Sequence, residues 1–202
     1  MKTRLVHTSI KLLLAAALAW SGTALAQLAP ALPGNSVYQL KTELTDQDGH
    51  VFHLQDRRGK PVLISMFYNS CEFVCPMLID TMRITEQALG PDERSRITML
   101  LVTFDPARDT VGALKSVATK RELEVPHWTL ARPDAAGARK IAATLGIQYR
   151  LLGNGEFNHT TVVVLLDAEG RILGQTRKLG AADLAFMKLV RQALQDADVK
   201  KS

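Results

Sequence analysis

Pro61-Val62-Leu63-Ile64-Ser65-Met66-Phe67 runs directly into Tyr68-Asn69-Ser70-Cys71-Glu72-Phe73-Val74-Cys75-Pro76, and this stretch decides the fold. Its first seven residues are almost continuously apolar, the pattern of a strand buried on both faces of a parallel or mixed sheet. From Pro76 to Leu89 the residues Leu78, Met82, Thr85 and Leu89 recur at helical spacing, with Pro76 suited to a first turn and Gly90-Pro91 to a stop. A strand, a loop that holds the only two cysteines of the chain, and a helix therefore follow one another.

Upstream, Val37 to Leu54 alternates apolar and polar residues around Asp48-Gly49, a hairpin-turn dipeptide. Downstream, Ile97 to Phe104 predicts a second buried strand, Thr110 to Arg121 a helix opened by Asp109, and Asp134 to Leu145 a helix closed by Gly146. Thr161 to Leu166 and Ile172 to Thr176 read as strands joined by the hairpin signature Asp167-Ala168-Glu169-Gly170. A last amphipathic helix is expected from Ala181 to about Asp196, with Leu184, Met187, Arg191 and Leu194 on successive turns. This order predicts one α/β domain with a mixed central sheet, helices on both faces and an added N-terminal β-hairpin. No internal repeat, low-complexity tract or dividing linker interrupts it.

The first 26 of the 202 residues read as an export signal. Lys2, Arg4 and Lys11 precede the apolar stretch Leu12 to Trp20, and Ala24-Leu25-Ala26 offers the small-x-small pattern of a cleavage site. The mature chain is then expected to begin at Gln27 with a flexible Ala/Pro/Gly lead over 27–36, followed by the domain over 37–202. The apolar run is short for a membrane span of about 18 residues or more, so an uncleaved anchor is the less favoured reading and no stable span is expected in the mature protein. Export places the two cysteines in an oxidising compartment, most simply a bacterial periplasm. Three of the 25 Lys and Arg lie in this stretch and none of the 20 Asp and Glu, so the remainder carries 22 against 20, a net charge of +2. With no basic block to track phosphates, nucleic acid is not an expected partner.

Cysteines at a helix start meet unpaired backbone N–H groups and the positive end of the helix dipole, which favour thiolate, a nucleophile and a soft metal ligand. The plain alternative is a structural staple. Closing so short a loop removes little unfolded-state entropy, roughly 2 kcal/mol, and a staple is expected to join distant segments. Of the histidines beyond the signal, His159 stands at the entrance to the strand that ends at Leu166, at the sheet end where the cysteine loop lies if the two strands are neighbours. Two thiolates and one imidazole make a soft three-ligand set that suits Cu(I), whereas structural zinc usually takes four protein ligands. His50, His53 and His127 read as surface residues. Met77 and Met82 flank the cysteines, at a spacing more often used for core packing, and Phe73 suits either packing or partner contact. Locally, Asp109 reads as a helix N-cap, Arg108 as the partner of a nearby carboxylate and Asp105 as a turn former before Pro106.

The combination of Cys71-x-x-x-Cys75-Pro76 after a strand, Thr103-Phe104-Asp105-Pro106-Ala107-Arg108-Asp109-Thr110, His127-Trp128-Thr129-Leu130, and His159-Thr160 before a strand ending in Asp167-Ala168-Glu169-Gly170 resembles the Sco/SenC copper proteins. The resemblance spans about Val37 to Ala193 and implies a thioredoxin-like fold. It also implies copper, as Cu(I) with Cu(II) as a second state, held by Cys71, Cys75 and His159, with Asp105 in a loop near the site. Members of that family deliver copper to the binuclear copper centre of cytochrome c oxidase, or reduce its cysteines. The chain departs from the family's Cys-Pro-Asp-x-Cys-Pro loop by carrying Glu72 and Phe73, and it lacks the Thr-Gly that often follows the tryptophan, having Leu130-Ala131-Arg132 there.

The expected function is thus that of a periplasmic metallochaperone more than an enzyme. Its expected partners are a copper-receiving oxidase subunit or other copper enzyme, and a thiol reductant or another periplasmic copper chaperone. The alternative is a thiol-disulfide oxidoreductase in which Cys71 and Cys75 form the redox-active pair and reduce a copper-site partner. Three residues between the cysteines, rather than two, favour the metal. A peroxidase on the same fold has no support beyond the fold.

Overall fold

The computed structural model describes residues 31–70, 74–125 and 127–199, and of Val74 the backbone alone. The expected export signal and the loop residues Cys71, Glu72 and Phe73 lie outside the described residues.

Nine strands are described: β1 (Glu43–Asp46), β2 (Val51–His53), β3 (Val62–Phe67), β4 (Thr98–Thr103), β5 (Trp128–Arg132), β6 (Tyr149–Leu151), β7 (Phe157–His159), β8 (Val163–Leu166) and β9 (Ile172–Thr176). The described helices are α1 (Val74–Gln87), α2 (Pro91–Ser95), α3 (Val111–Lys120), α4 (Ala135–Leu145) and α5 (Leu184–Val199). Seven strands make one mixed sheet in the order β2-β1-β5-β4-β3-β8-β9, and β6 pairs with β7 in a separate two-stranded sheet. Helical crossovers leave β3, β4 and β5 parallel, while β8 runs antiparallel to β3 and β1 antiparallel to β5. Every residue of β3 and β8 is buried, and all but one of β4 and of β5, so both faces of the sheet centre are covered.

This is the α/β arrangement with a mixed sheet that the sequence predicts. The N-terminal hairpin is present as β1 and β2, turning at Gly49 with φ +87°, and it extends the sheet by pairing Thr45 with Arg132 and Asp46 with Ala131. The chain before it is tied down. Leu32 packs against the core, Ser36 is buried and donates its hydroxyl to the Glu169 carbonyl at 2.5 Å, and the Val37 N–H donates to the Gly170 carbonyl at 2.8 Å.

Four details differ from the predicted elements, and the first is β5, a strand between β1 and β4 that has no counterpart among them. Gly90-Pro91 ends one helix but also starts another: Pro91 occupies the first turn of α2, and the Glu93 carboxylate accepts the Gly90 N–H at 2.9 Å. The β6–β7 hairpin has no counterpart among the predicted elements, although Gly153-Asn154-Gly155 marks its turn. In α5 the buried stripe is Phe186, Met187, Val190, Ala193, Leu194 and Ala197; Met187 and Leu194 lie in it as expected, whereas Leu184 is 77% exposed and Arg191 is exposed.

The β8–β9 turn has a glycine that is needed twice over. Gly170 has φ +80°, a conformation other residues rarely adopt, and a Cβ there would lie 2.5 Å from Tyr38 Cγ and 2.6 Å from Ser36 Oγ. Gly170→Ala is expected to lower stability by about 2–4 kcal/mol, from backbone strain plus overpacking against the buried Tyr38. Urea unfolding checks this, and a variant within about 0.5 kcal/mol of the parent would contradict it.

Candidate metal centre

The β3–β4 register sets the geometry of this region. Phe67 pairs with Thr103, so Tyr68-Asn69 after β3 and Phe104-Asp105 after β4 leave the sheet side by side. Because β8 is antiparallel to β3, its N-terminal approach arrives at the same end, and the Ser65 hydroxyl donates to the Val162 carbonyl at 2.5 Å to hold it there. Tyr68-Asn69, the Asp105–Thr110 loop and the segment that follows His159 therefore converge on one end of the sheet.

Cys75 is buried in the first turn of α1. It lines an open groove of about 320 Å³ together with Phe67, Tyr68, Pro76, Ile79 and Val117. Lys120 and Arg121 stand at this groove, and Arg121 lies 3.6 Å from Asp80. His159 is not at the start of β8 as expected; it ends β7, paired with Tyr149, and three residues separate it from β8. Its ring lies edge-on to Tyr68 at 5.7 Å and tilted against Phe104 at 5.1 Å. Tyr149 and Phe157 complete the aromatic cluster, with Phe157 5.1 Å from Tyr68 and Tyr149 stacked on Phe104 at 4.8 Å. Tyr68 thus borders both the Cys75 groove and the His159 imidazole.

Burial among these rings pushes the His159 pKa below the usual 6.5, against a smaller upward pull from the Thr160 carbonyl. The imidazole is therefore neutral at neutral pH. Its Nδ1 lies 3.4 Å from the Thr160 carbonyl and 3.5 Å from the Thr161 hydroxyl, and among the described residues no hydrogen bond reaches Nε2. A neutral ring held at one nitrogen and open at the other is the form in which histidine binds a metal. A buried cysteine and a neutral imidazole around one aromatic side chain fit a soft cation. Among the described residues no group of three or more His, Cys, Asp or Glu converges.

The other histidines do not join this edge. His50 is 79% exposed in its side chain and sits 3.2 Å from Asp46 on the hairpin, and the His53 N–H donates to Asp56 at 2.8 Å. Both lie at the far side of the sheet order from β3. His127 corrects the surface reading: its Nε2 is 2.7 Å from Glu86 Oε1, with the side chain 21% exposed, and it precedes β5 at the opposite end of the parallel strands. Met82 is core, while Met77 is exposed on α1.

The Asp105–Thr110 loop also differs from its local reading. Thr110, not Asp109, caps α3 by accepting the Ala113 N–H at 3.2 Å. Asp109 is instead buried, accepting the Asn69 N–H at 3.1 Å and the Thr103 hydroxyl. Asp105 is buried too; it forms a turn through its carbonyl, which accepts from Asp109 N at 3.0 Å, and its carboxylate pairs with Arg108. The Arg108 guanidinium also lies over the Phe157 ring at 5.5 Å.

Burial raises the Asp109 pKa above the usual 3.8, partly offset by the bonds from Thr103 and Asn69. The folded chain therefore holds this proton more tightly than the unfolded one, a contribution to stability that is full below 3.8 and lost as pH rises through the folded pKa. Compared with Asp109→Asn, the parent is expected to gain relative stability as pH falls from about 7 to about 4, measured by urea unfolding of both. A pH-independent difference would mean that the carboxyl titrates normally.

The SCO1/SenC family profile matches residues 33–194. A Stutzerimonas stutzeri protein described as a candidate copper-binding protein is 28% identical over 139 residues, 67% of each chain. Bradyrhizobium japonicum ScoI, solved with copper bound, aligns with TM-score 0.62 and 24% identity over 78% of this chain and 95% of its own. Yeast Sco1, also solved with copper bound, aligns with TM-score 0.64 and 18% identity over 76% and 86%. The fold is the thioredoxin-like one of these structures. With four fifths of its length matched by the family profile, the chain belongs to the SCO1/SenC family.

Proposed function

We propose that this chain is a copper-binding metallochaperone, holding the metal through Cys71, Cys75 and His159 and passing it by ligand exchange to the binuclear copper centre of cytochrome c oxidase or a related copper enzyme. It works in the periplasm after removal of residues 1–26, and a thiol reductant or another copper chaperone keeps Cys71 and Cys75 reduced. The observation that carries the reading is that Tyr68 both lines the Cys75 groove and contacts the His159 ring, whose pKa burial lowers. Family membership and relatives described by copper binding support it.

The chemistry is ligand exchange without bond cleavage. Cu(I) favours thiolate and imidazole donors at low coordination number, and an incoming donor replaces one of them at a time. The α1 N-terminus favours thiolate at its first turn. The aromatic cluster keeps the imidazole unprotonated. Among the described residues no helix is long and apolar enough to cross a membrane. A reductase acting on the same partner would use the thiols alone and leave the imidazole environment without a task.

Anaerobic Cu(I) titration of the reduced protein from Gln27 onward, against a competing chelator, is expected to show one tight equivalent. His159→Ala should weaken it by about 10–100-fold, and Cys71→Ser or Cys75→Ser by more. An unchanged Cu(I) affinity and coordination in His159→Ala would remove the imidazole from the site. Absence of tight copper in the parent, together with rapid exchange with a disulfide substrate, would make the protein a thiol-disulfide oxidoreductase.

A further inference from the structure

Asp109 is a buried carboxylate whose partners do not explain it locally. The helix that follows is already capped by Thr110, so α3 has no need of a second capping side chain. The residue is 1% exposed, a setting that disfavours its charge. What it binds lies 40 positions away: the Asn69 N–H, at 3.1 Å from Oδ2 and 3.3 Å from Oδ1. Asn69 is the second residue after β3 and begins the segment leading to the cysteine loop.

The Thr103 hydroxyl donates to the same carboxylate and accepts the Asp105 N–H at 2.9 Å, so the carboxylate is itself oriented from the end of β4. The preceding residue reaches the other half of the site. Arg108 pairs with Asp105 and covers the ring of Phe157, two residues before His159 on β7. Phe157 in turn touches Tyr68 and Phe104, the two rings against His159. Two consecutive side chains of one loop thus hold the chain entering the thiol segment and the strand carrying the imidazole.

We infer that Asp109 is a positioning residue of the copper site, fixing the exit of β3 through the Asn69 N–H while Arg108 fixes β7 from the same loop. This rests on the copper reading above. Among the described residues the carboxylate bonds to neither Cys75 nor His159; it sets where the thiol segment starts relative to His159. A loop anchored only at its helix would let the thiols and the imidazole separate, and Cu(I) would then be held by fewer donors.

The test compares the parent with Asp109→Ala, Asp109→Asn and Thr103→Val, each reduced and metal-free, then loaded with Cu(I) and, separately, Cu(II). Asp109→Ala is expected to weaken Cu(I) binding about tenfold, the scale seen when a partner that orients a ligand is lost, and to shift the thiolate-to-Cu(II) charge-transfer absorption. Asp109→Asn keeps an acceptor for the Asn69 N–H and should recover most of the affinity, with Thr103→Val falling between. Metal-free, Asp109→Ala should speed amide exchange at Asn69 and change the alkylation rate of the cysteines. If Asp109→Ala does not fold, Asp109→Asn and Thr103→Val carry the same comparison. Lower thermal stability with parental copper affinity, spectrum and cysteine reactivity would reduce Asp109 to a structural residue and overturn the proposal. Failure of the parent to bind copper would sink the copper reading alone, because Asn69 exchange and cysteine alkylation still decide whether Asp109 positions the loop.

Discussion

The parallel pairing of β3 with β4, in the register that sets Phe67 against Thr103, is the constraint on which the candidate site depends. Both strands are buried on both faces and sit in the middle of the sheet, where a one-residue slip would exchange the side chains packed on the two faces and disrupt the close packing of both. The register therefore cannot drift, and the positions where the two chains leave the sheet are equally fixed. The antiparallel pairing of β8 on the other side of β3 brings a third segment to the same edge. Three segments separated by tens of residues in sequence thus share one end of one strand.

Polar groups then do at the strand ends what apolar packing does inside. A strand that stops leaves N–H and C=O groups with no ladder partner, and burying them unpaired is costly. Here the Ser65 hydroxyl takes the Val162 carbonyl, Thr103 takes the Asp105 N–H, and Asp109 takes the Asn69 N–H. The first and last of these bonds join different segments, while the Thr103 bond closes a local turn, so satisfying the backbone also locks β3 to the approach of β8 and to the Asp109 loop. Apolar contacts alone would cover the same surface without fixing direction.

The architecture was legible because its signals are local and strong: long apolar runs for β3 and β4, the Asp48-Gly49 turn, and Asp134 and Gly146 bracketing α4. The hairpin carrying His159 was not, because its strands have three residues each, half of them exposed, and carry no clear alternation. Its one cue was Gly153-Asn154-Gly155. Asp109 misled for a different reason: adjacent Asp109 and Thr110 both suit an N-cap, and only the tertiary partner at Asn69 decides which one caps. The aromatic cluster around His159 draws on positions 68, 104, 149 and 157, a set with no sequence period at all. Of the expected donors, Cys75 and His159 were legible as residues, but the ring that relates them, Tyr68, is visible only in the fold.

A carrier that must give up its metal is under opposing demands, and the arrangement of these elements bears on both. Tight holding favours donors fixed in advance, since each donor that has to be ordered on binding subtracts from affinity. Release favours a donor that an incoming ligand can displace without unfolding the protein. The two candidate donor elements differ in this respect. Cys75 is rooted in the first turn of α1, a 14-residue helix packed through Leu78, Ile79 and Met82 into the core, so its backbone does not yield independently of the domain. His159 sits on the two-stranded β6–β7 sheet, outside the seven-stranded main sheet, held by aromatic contacts and by Arg108 over Phe157. Local opening is drawn from elements with few buried apolar contacts, and here that is the imidazole side. Under the copper reading, exchange would therefore begin with loss of the imidazole while thiolate ligation persists, and the recipient's first donor would enter from the side that β7 vacates.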